Sequence, residues 1–353
     1  MNVAKADCFY TDEDTVYGTA FINPHFKPDW SPDLFRNCNY ITNFFGVKSD
    51  LLEKIGRWSS RYDLLLKASE LAKNIVHIPK ILFHVREDIT DIDEVALNDH
   101  LKRINLTGAV KKGLLDKSRK IEYILADAAK VSIIIANKDS SQVLEKCISS
   151  INKKSSYRNF EIIIVENGSV EPETFAYYEE ISASPAVRII KWTEPFNFSA
   201  VNNYAARHAS GDVLLFLNND VEVISQDWLE RMLEYAVRKD IGCVGAKLYY
   251  PDDTIQHGGV TVGLGGVAGH SYNGFKREAD GYFGRLKLVQ NLSAVTAACV
   301  MIRKEVFEEV GGFEEGYPLA FNDVDLCLKI RKHGYLIVWT PFAELYHYES
   351  ITR

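Results

Sequence analysis

The chain has 353 residues, 46% of them hydrophobic and 25% charged, with a formal net charge of −7. That length allows two domains, the composition is that of an ordinary globular protein, and the acidic balance argues against a nucleic-acid binder, which needs a basic face. Six cysteines without a CxxC pair suit reduced thiols better than a disulfide framework or a zinc site; "MNVAKADCFY" has no apolar core of signal-peptide length, and "AVTAACVMI" is far short of a bilayer span.

In chain order, the first feature is "FYTDED" (Phe9–Asp14), a strand-like pair of aromatics running into three acids, with too little sequence upstream to form the rest of a pocket. Residues 88–130 are charged and mixed in character; "ALNDHLKRI" reads as a surface helix, and the segment as a connector between an N-terminal unit, 1–87, and a second domain, 131–353. There "VSIIIA" is a continuous apolar run, as expected of a strand buried on both faces. "QVLEKCISSI" follows with apolar residues at helical spacing and Asp139 or Ser140 as its cap. "FEIIIV", a helix over Pro172–Ile181, "VRIIKW", a helix through "SAVNNYAARHA" and "DVLLFL" continue the alternation. Strand and helix in this rhythm predict an α/β sheet with helices on its faces. Ligands of such sheets bind beyond the carboxyl ends of the strands, where Asn137, Asp139, Glu166 and Asp220 fall. Further on come the helix "QDWLERMLEYAVRK", the strand "IGCVGAKLYY", a Gly- and aromatic-rich region from His257 to Phe283, the helix "KEVFEEVG", a helix from about Val324 with Gly334 as its C-cap, and the strand "LIVWT".

Four apolar residues followed by Asn218, Asn219 and Asp220 place three polar groups at a strand end. A hard divalent cation takes oxygen ligands and keeps water and phosphates in its shell, so one carboxylate with a diphosphate and a helper ligand would hold it; Asn-Asn-Asp is also good turn chemistry. Asp323 and Asp325 are two apart and point in different directions on a helix, so they are no catalytic pair; one can face a cleft while the other caps the helix, and capping explains both equally well. His347, just after a strand, is a metal ligand or a structural histidine. Glu166 can accept hydrogen bonds from a nucleobase or ribose, or is a turn carboxylate. "GLGGVA" matches a dinucleotide fingerprint only formally, because no helix follows it; a mobile loop over the cleft is the better reading.

The order of these elements is more specific than any one of them. "VSIIIANKD", "EIIIVENGS", "FNFSAVNNYAARHASGDVLLFLNNDVEV", "SAVTAACVMIRKEVFEEVGGFEE", "FNDVDLCLKIRKHGY" and "ELYHYES" resemble a family-2 inverting glycosyltransferase of GT-A fold, over almost all of 131–353. The flavour is that of bacterial enzymes of O-antigen and other surface polysaccharides. The resemblance implies a Rossmann-like, mostly parallel sheet with helices on both faces. It implies Asp323 as the catalytic base, Asn137, Asp139, Glu166, Asn203, Asn218, Asn219 and Asp220 as donor-binding residues, and Asp220 and His347 as ligands of Mg²⁺ or Mn²⁺. Asn218 stands where the family has an acid, and Asn322–Asp323 where it has Glu-Asp. The implied partners are a nucleotide-sugar donor and a saccharide or lipid-linked glycan acceptor. No nucleic acid is expected; other glycan-assembly enzymes are compatible partners. The implied location is the cytoplasm, with peripheral association to the inner face of the cell membrane compatible.

With those landmarks the N-terminal unit matches the second domain as a partial, α+β copy of its C-terminal half. "FYTDED" lies over "LFLNND" with Asp14 on Asp220, "VKSDLLEKIGRW" over "IRKEVFEEVGGF", "YDLLLK" over "VDLCLK" with Asp63 on Asp325, and "LFHVRED" over "LYHYESI" with His84 on His347. This is a repeat of domain size. "FKPDWSPDLFRNCNYI" also resembles a stretch of tandem glycosyltransferases. Arg61 stands where the second copy has Asp323, and an arginine stays protonated, so residues 1–87 read as an inactive remnant or docking unit. Two other readings stay open: a catalytically inactive GT-A-derived scaffold or sugar-binding module, and a nucleotidyltransferase, which would want a Gly-rich basic loop where "NKDSSQ" stands.

Overall fold

A computed structural model of the chain describes residues 5–86, 92–125 and 129–349. It divides into two compact units. Unit 1 holds the chain up to Ile124 together with Asp280–Gln290; unit 2 holds Leu125–Ala279 and the chain from Asn291. No helix among the described residues is long and apolar enough to cross a membrane.

Unit 1 is built on strand β1 (Cys8–Tyr17), which turns at Gly18 into the antiparallel strand β2 (Ala20–His25). Helix α1 (Pro32–Asn37), strand β3 (Phe45–Val47), helices α2 (Ser49–Ile55) and α3 (Arg61–Leu71), and strand β4 (Ile75–Val85) follow. β3 pairs antiparallel and β4 parallel with β1. The helix expected in the connector is present as α4 (Glu94–Arg103), capped by the Asp93 side chain, and is followed by the hairpin β5 (Gly108–Lys112) and β6 (Arg119–Tyr123). The expectation of a connector over 88–130 is corrected: Leu97, Leu101 and Ile121 are buried, because α4 packs on α3 and β6 on α1. The 87/88 boundary lies outside the described residues.

The acids of "FYTDED" do not converge. Successive strand residues point to opposite faces, and each acid has its own partner. Asp12 Oδ1 accepts from Lys27 N and meets His77 Nε2, both at 2.8 Å. Glu13 pairs with Lys27 Nζ at 3.0 Å and accepts from the Thr42 hydroxyl and Asn43 Nδ2. Asp14 meets His84 Nδ1 at 2.5 Å. These are buried carboxylates, each held by its own partners.

In unit 2 the apolar runs become strands: β7 (Val131–Asn137), β8 (Phe160–Glu166) and β10 (Val213–Leu217) are covered on both faces, and β9 (Val187–Lys191) is a more exposed strand at the sheet edge. Ile133–Ile135, Ile162–Ile164 and Leu214–Phe216 are inaccessible to solvent; burying one such side chain stabilises the fold by about 1.5–3 kcal/mol. The crossovers are helices α5 (Ser141–Lys154), α6 (Pro172–Ile181) and α7 (Phe198–His208). Ser140 occupies the N-cap position of α5 without a side-chain bond to it. Beyond Asp220 come strand β11 (Val221–Val223), helix α8 (Trp228–Ala236), strands β12 (Ile241–Tyr249) and β13 (Ile255–His257), the hairpin β14 (Val260–Val262) and β15 (Ala268–His270), and the short strand β16 (Gln290–Leu292). Strand β17 (Cys299–Arg303), helices α9 (Lys304–Glu309) and α10 (Asn322–Lys332), and strand β18 (Leu336–His347) complete the unit. The main sheet runs β11-β18-β12-β17-β10-β7-β8-β9. "GLGGVA" is the turn of the β14–β15 hairpin, with glycines at positive φ, and precedes no helix.

The pairing corrects the match between the units. β1 is flanked by an antiparallel hairpin partner, an antiparallel β3 and a parallel β4; β12 is flanked in the same way by β13, β17 and β18. Glu13 pairs with His25 and Phe83 as Leu248 pairs with His257 and Leu345. "FYTDED" therefore corresponds to the end of β12, not of β10. Asp14 falls on Tyr249 rather than Asp220, and His84 on Tyr346, one residue short of His347. The order β3, α2, α3, β4 does follow β17, α9, α10, β18. Leu97→Ala is expected to destabilise unit 1 by about 2–5 kcal/mol, seen as an earlier unfolding transition by urea or calorimetry; a loose connector would leave it unchanged.

Candidate active site

β7 and β8 are apolar from their third residue and β10 along its length, so the polar residues that follow these runs collect at the carboxyl ends. Asn137 ends β7 and is buried. Its Nδ2 donates to Tyr178 Oη (2.9 Å) and to the Asp139 carbonyl, while its Oδ1 accepts from Asn219 Nδ2 at 2.7 Å. Glu166 ends β8. Its Oε1 accepts from Ser169 N, and its Oε2 from Ser169 Oγ and Tyr178 Oη. Those bonds use three of the four acceptor positions of a carboxylate, leaving one. Burial pushes the Tyr178 phenol up to about 12, so it remains a donor. Asp139, at positive φ, turns Oδ1 to the N–H groups of Glu171 and Val170, Glu171 first, and these hold its carboxyl below the usual range. It caps the entry to α6 instead of α5; its Oδ2 makes no hydrogen bond among the described residues.

Asp220 and His347 are brought together by backbone pairing. β11 lies antiparallel to β18 with Val221 opposite His347, and Tyr348 N–H donates to the Asp220 carbonyl at 2.9 Å. Gln256 then sets the histidine. Its Nε2 is directed at the His347 carbonyl and Glu349, so its Oε1 faces His347 Nδ1 at 2.6 Å. An acceptor there assigns the proton to Nδ1 and leaves Nε2 as a lone pair. That lone pair receives Asn218 Nδ2–H at 3.0 Å and lies 3.2 Å from Asp220 Oδ1, a buried oxygen with no hydrogen-bond donor. An imidazole lone pair facing an anionic oxygen is repulsive without a cation, and N,O donors suit Mn²⁺ or Mg²⁺. The residues therefore fit a divalent ion. Among the described residues no group of three or more His, Cys, Asp or Glu side chains could hold a metal, so phosphate and water would supply the other ligands.

Asp323 stands in the first turn of α10, where the helix dipole favours an anion. Its Oδ1 accepts from Val324 N at 2.8 Å and its Oδ2 from Ala297 N at 3.3 Å. Asn203 is not gathered into the site. Both of its amide protons go to the loop after α9, at the Phe313 carbonyl and Glu315, and its Oδ1 accepts from Phe313 N. It clamps a loop that turns on Gly312, where a Cβ would lie 2.6 Å from Asn203 Oδ1.

The glycosyl transferase family 2 model matches residues 132–311, just over half of the chain. The chain belongs to that family. It is 42% identical, over 99% of its length, to the uncharacterized protein y4gI of Sinorhizobium fredii, and 38% identical, over 98%, to the O-antigen biosynthesis protein RfbC of Myxococcus xanthus. It spans 41% and 28% of the lengths of those relatives. A solved structure of GalNAc-T7 with UDP, GalNAc and Mn²⁺ superposes on 67% of this chain and 47% of that one, with a TM-score of 0.54 at 15% identity. The α/β architecture is thus the GT-A glycosyltransferase fold.

Tyr178, Ser169 and Gln256 support this site and were not singled out from the sequence. Tyr178 carries the one local signal, a polar-tipped ring on the inner face of an amphipathic helix. Tyr178→Phe is expected to lower stability by about 1–3 kcal/mol in urea unfolding, since it leaves a buried Asn137 proton and a Glu166 oxygen short of a partner.

Proposed function

We propose that unit 2 transfers a sugar, with inversion, from a nucleotide-sugar donor to a hydroxyl of a saccharide or lipid-linked acceptor in surface-polysaccharide synthesis. The observation that carries this reading is the pairing of Asp220 Oδ1 with the lone pair of His347 Nε2 at 3.2 Å, at the carboxyl edge of an α/β sheet. A divalent cation held there would offset charge on the departing diphosphate. Asn218 Nδ2 occupies the His347 lone pair that a bound cation would take over, while Asn219, tied to Asn137, holds the turn between β10 and β11. Glu166 and Asp139 offer the free carboxylate positions on the nucleoside side of the rim. Asp323 takes the proton of the attacking hydroxyl; its two backbone donors aim the carboxylate without a protein cation beside it. The relative named for O-antigen biosynthesis and the GT-A fold support this assignment.

The first unit is proposed to be the C-terminal half of a transferase domain that does no chemistry. Its β1–β4 order repeats β12–β18. Arg61 begins α3 where Asp323 enters α10, and an arginine cannot accept a proton.

Two variants separate the roles in unit 2. Asp220→Asn is expected to weaken Mn²⁺-dependent binding of the preferred nucleotide by about tenfold or more in calorimetric titration, the range of one charge-assisted contact. Asp323→Asn is expected to keep that binding and lose about 10²–10⁴-fold in transfer; transfer near the wild-type rate would remove Asp323 as the base. A wild-type chain that binds no UDP-, GDP- or dTDP-sugar with Mn²⁺ or Mg²⁺ would be a scaffold instead.

A further inference from the structure

Unit 1 contains a cavity of about 400 Å³ whose walls all belong to that unit, a size within the range of about 300–1,000 Å³ of small-molecule pockets. A β-bulge makes it. Glu13 pairs with His25 but Thr15 with Ile22, so Asn23 and Pro24 together oppose Asp14. Such a bulge re-aims the side chains around it, and here Asp14, Thr15, Asn23 and Pro24 all line the cavity. Tyr282 and Phe283 supply an aromatic wall. Tyr282 Oη accepts from Phe26 N and donates to the Pro24 carbonyl, and Arg285 donates to the Phe26 carbonyl. Those bonds hold Phe283 at a φ of 51°, its ring stacked on His25 yet 44% exposed. A bulky residue rarely adopts that backbone, and such strain collects at ligand clamps.

Three polar groups of the cavity have unused hydrogen-bonding capacity. The Asp14 side chain is 9% exposed; its Oδ1 meets His84, and its Oδ2 has no partner among the described residues. The Thr15 hydroxyl and the Asn23 amide make no hydrogen bond among the described residues either. The match between the units says what the cavity replaces. With His25 on His257, Pro24 falls on Gln256, and Val85, next after His84, falls on His347. The β12–β13 ladder carries a register shift at the same point. Unit 1 thus keeps the bulge but has lost both the histidine and the glutamine that sets it.

We infer that this cavity binds a neutral saccharide, whose hydroxyls bond to Asp14 Oδ2, Thr15 Oγ1 and the Asn23 amide while a C–H face of the ring packs on Phe283. The inference goes beyond the transferase reading of unit 2 and does not depend on it. The chemistry is selective. Thr15 and Asn23 both donate and accept, as sugar hydroxyls do, and a carboxylate oxygen takes hydroxyl protons. The carboxylates of Asp14 and Glu13 repel a phosphate. Among the described residues no group of acids, histidines and cysteines could hold a metal. An organic cation would be met by Asp14 and the rings alone, and would leave the protons of Thr15 and Asn23 unused.

The test titrates the full chain with the methyl glycosides of glucose, galactose, mannose, rhamnose and N-acetylglucosamine, in EDTA and without nucleotide, followed by saturation-transfer NMR. At least one is expected to bind, with a Kd that added NaCl leaves unchanged. Two variants then place the binding without threatening the fold. Asn23→Gly suits the positive φ of that residue and removes only the amide; Thr15→Val keeps the side-chain shape and removes only the hydroxyl. Each is expected to raise the Kd about tenfold, the effect of one lost hydrogen bond, with an unchanged urea-unfolding midpoint. Phe283→Ala is expected to raise it by a similar factor. Binding of none of the five glycosides overturns the inference, as does binding that Asn23→Gly and Thr15→Val both leave at the wild-type Kd. So does a cavity that takes tetramethylammonium instead, with an affinity that falls as NaCl is added. Nucleotide-sugar binding by unit 2 is measured separately, so its failure would count against the transferase reading and leave this result standing.

Discussion

Strands covered by helices on both faces admit no unpaired polar side chain along their length, and this constraint places the chemistry of unit 2. After the Ser132–Glu161 pair at their amino ends, β7 and β8, like β10, carry apolar residues until they clear the helices, and only then Asn137, Glu166 and Asn218–Asp220. The remaining groups reach the same rim from elsewhere, His347 by pairing of β18 with β11 and Asp323 on the first turn of α10. The polar groups then hold one another, Asn219 to Asn137, Asn137 to Tyr178 and Tyr178 to Glu166. A buried network with its members satisfied is rigid, which is what a site must be if its donors are to meet charge as it develops.

The parallel core was legible because the runs "VSIIIA", "FEIIIV" and "DVLLFL" state burial on both faces directly, and the polar residue after each run marks the rim. Partners joined by long-range pairing were not legible. Nothing local to Gln256 says that it will face His347, 91 residues away, and nothing near His257 says that a hairpin will return His270 to it. Asn203 misled because an asparagine-rich helix beside the sheet looks like donor chemistry, whereas its amide closes a loop 110 residues further along. "FYTDED" was misplaced for a related reason. An aromatic strand ending in acids looks the same at the end of β10 and of β12, and only hydrogen-bond partners separate the two.

The two acidic stretches also show how little acidity alone says about metal binding. Asp12, Glu13 and Asp14 are the richer cluster, yet His77, Lys27 and His84 meet them one at a time. Asp220 has fewer acidic neighbours but faces a histidine whose other nitrogen is already bound. A carboxylate oxygen set against a histidine lone pair instead of a lysine, not the number of carboxylates, marks the site.

Residues 280–290 carry a different consequence. Tyr282 Oη donates to the Pro24 carbonyl, and Phe283 stacks on His25 at 3.9 Å within unit 1. Unit 1 is thus assembled from two stretches of chain separated by more than a hundred residues of unit 2. Domains made from one stretch can finish folding as soon as they leave the ribosome, N-terminal first. Here the earlier unit must wait until most of the later one has been synthesised, and no single cut in the polypeptide yields both units whole.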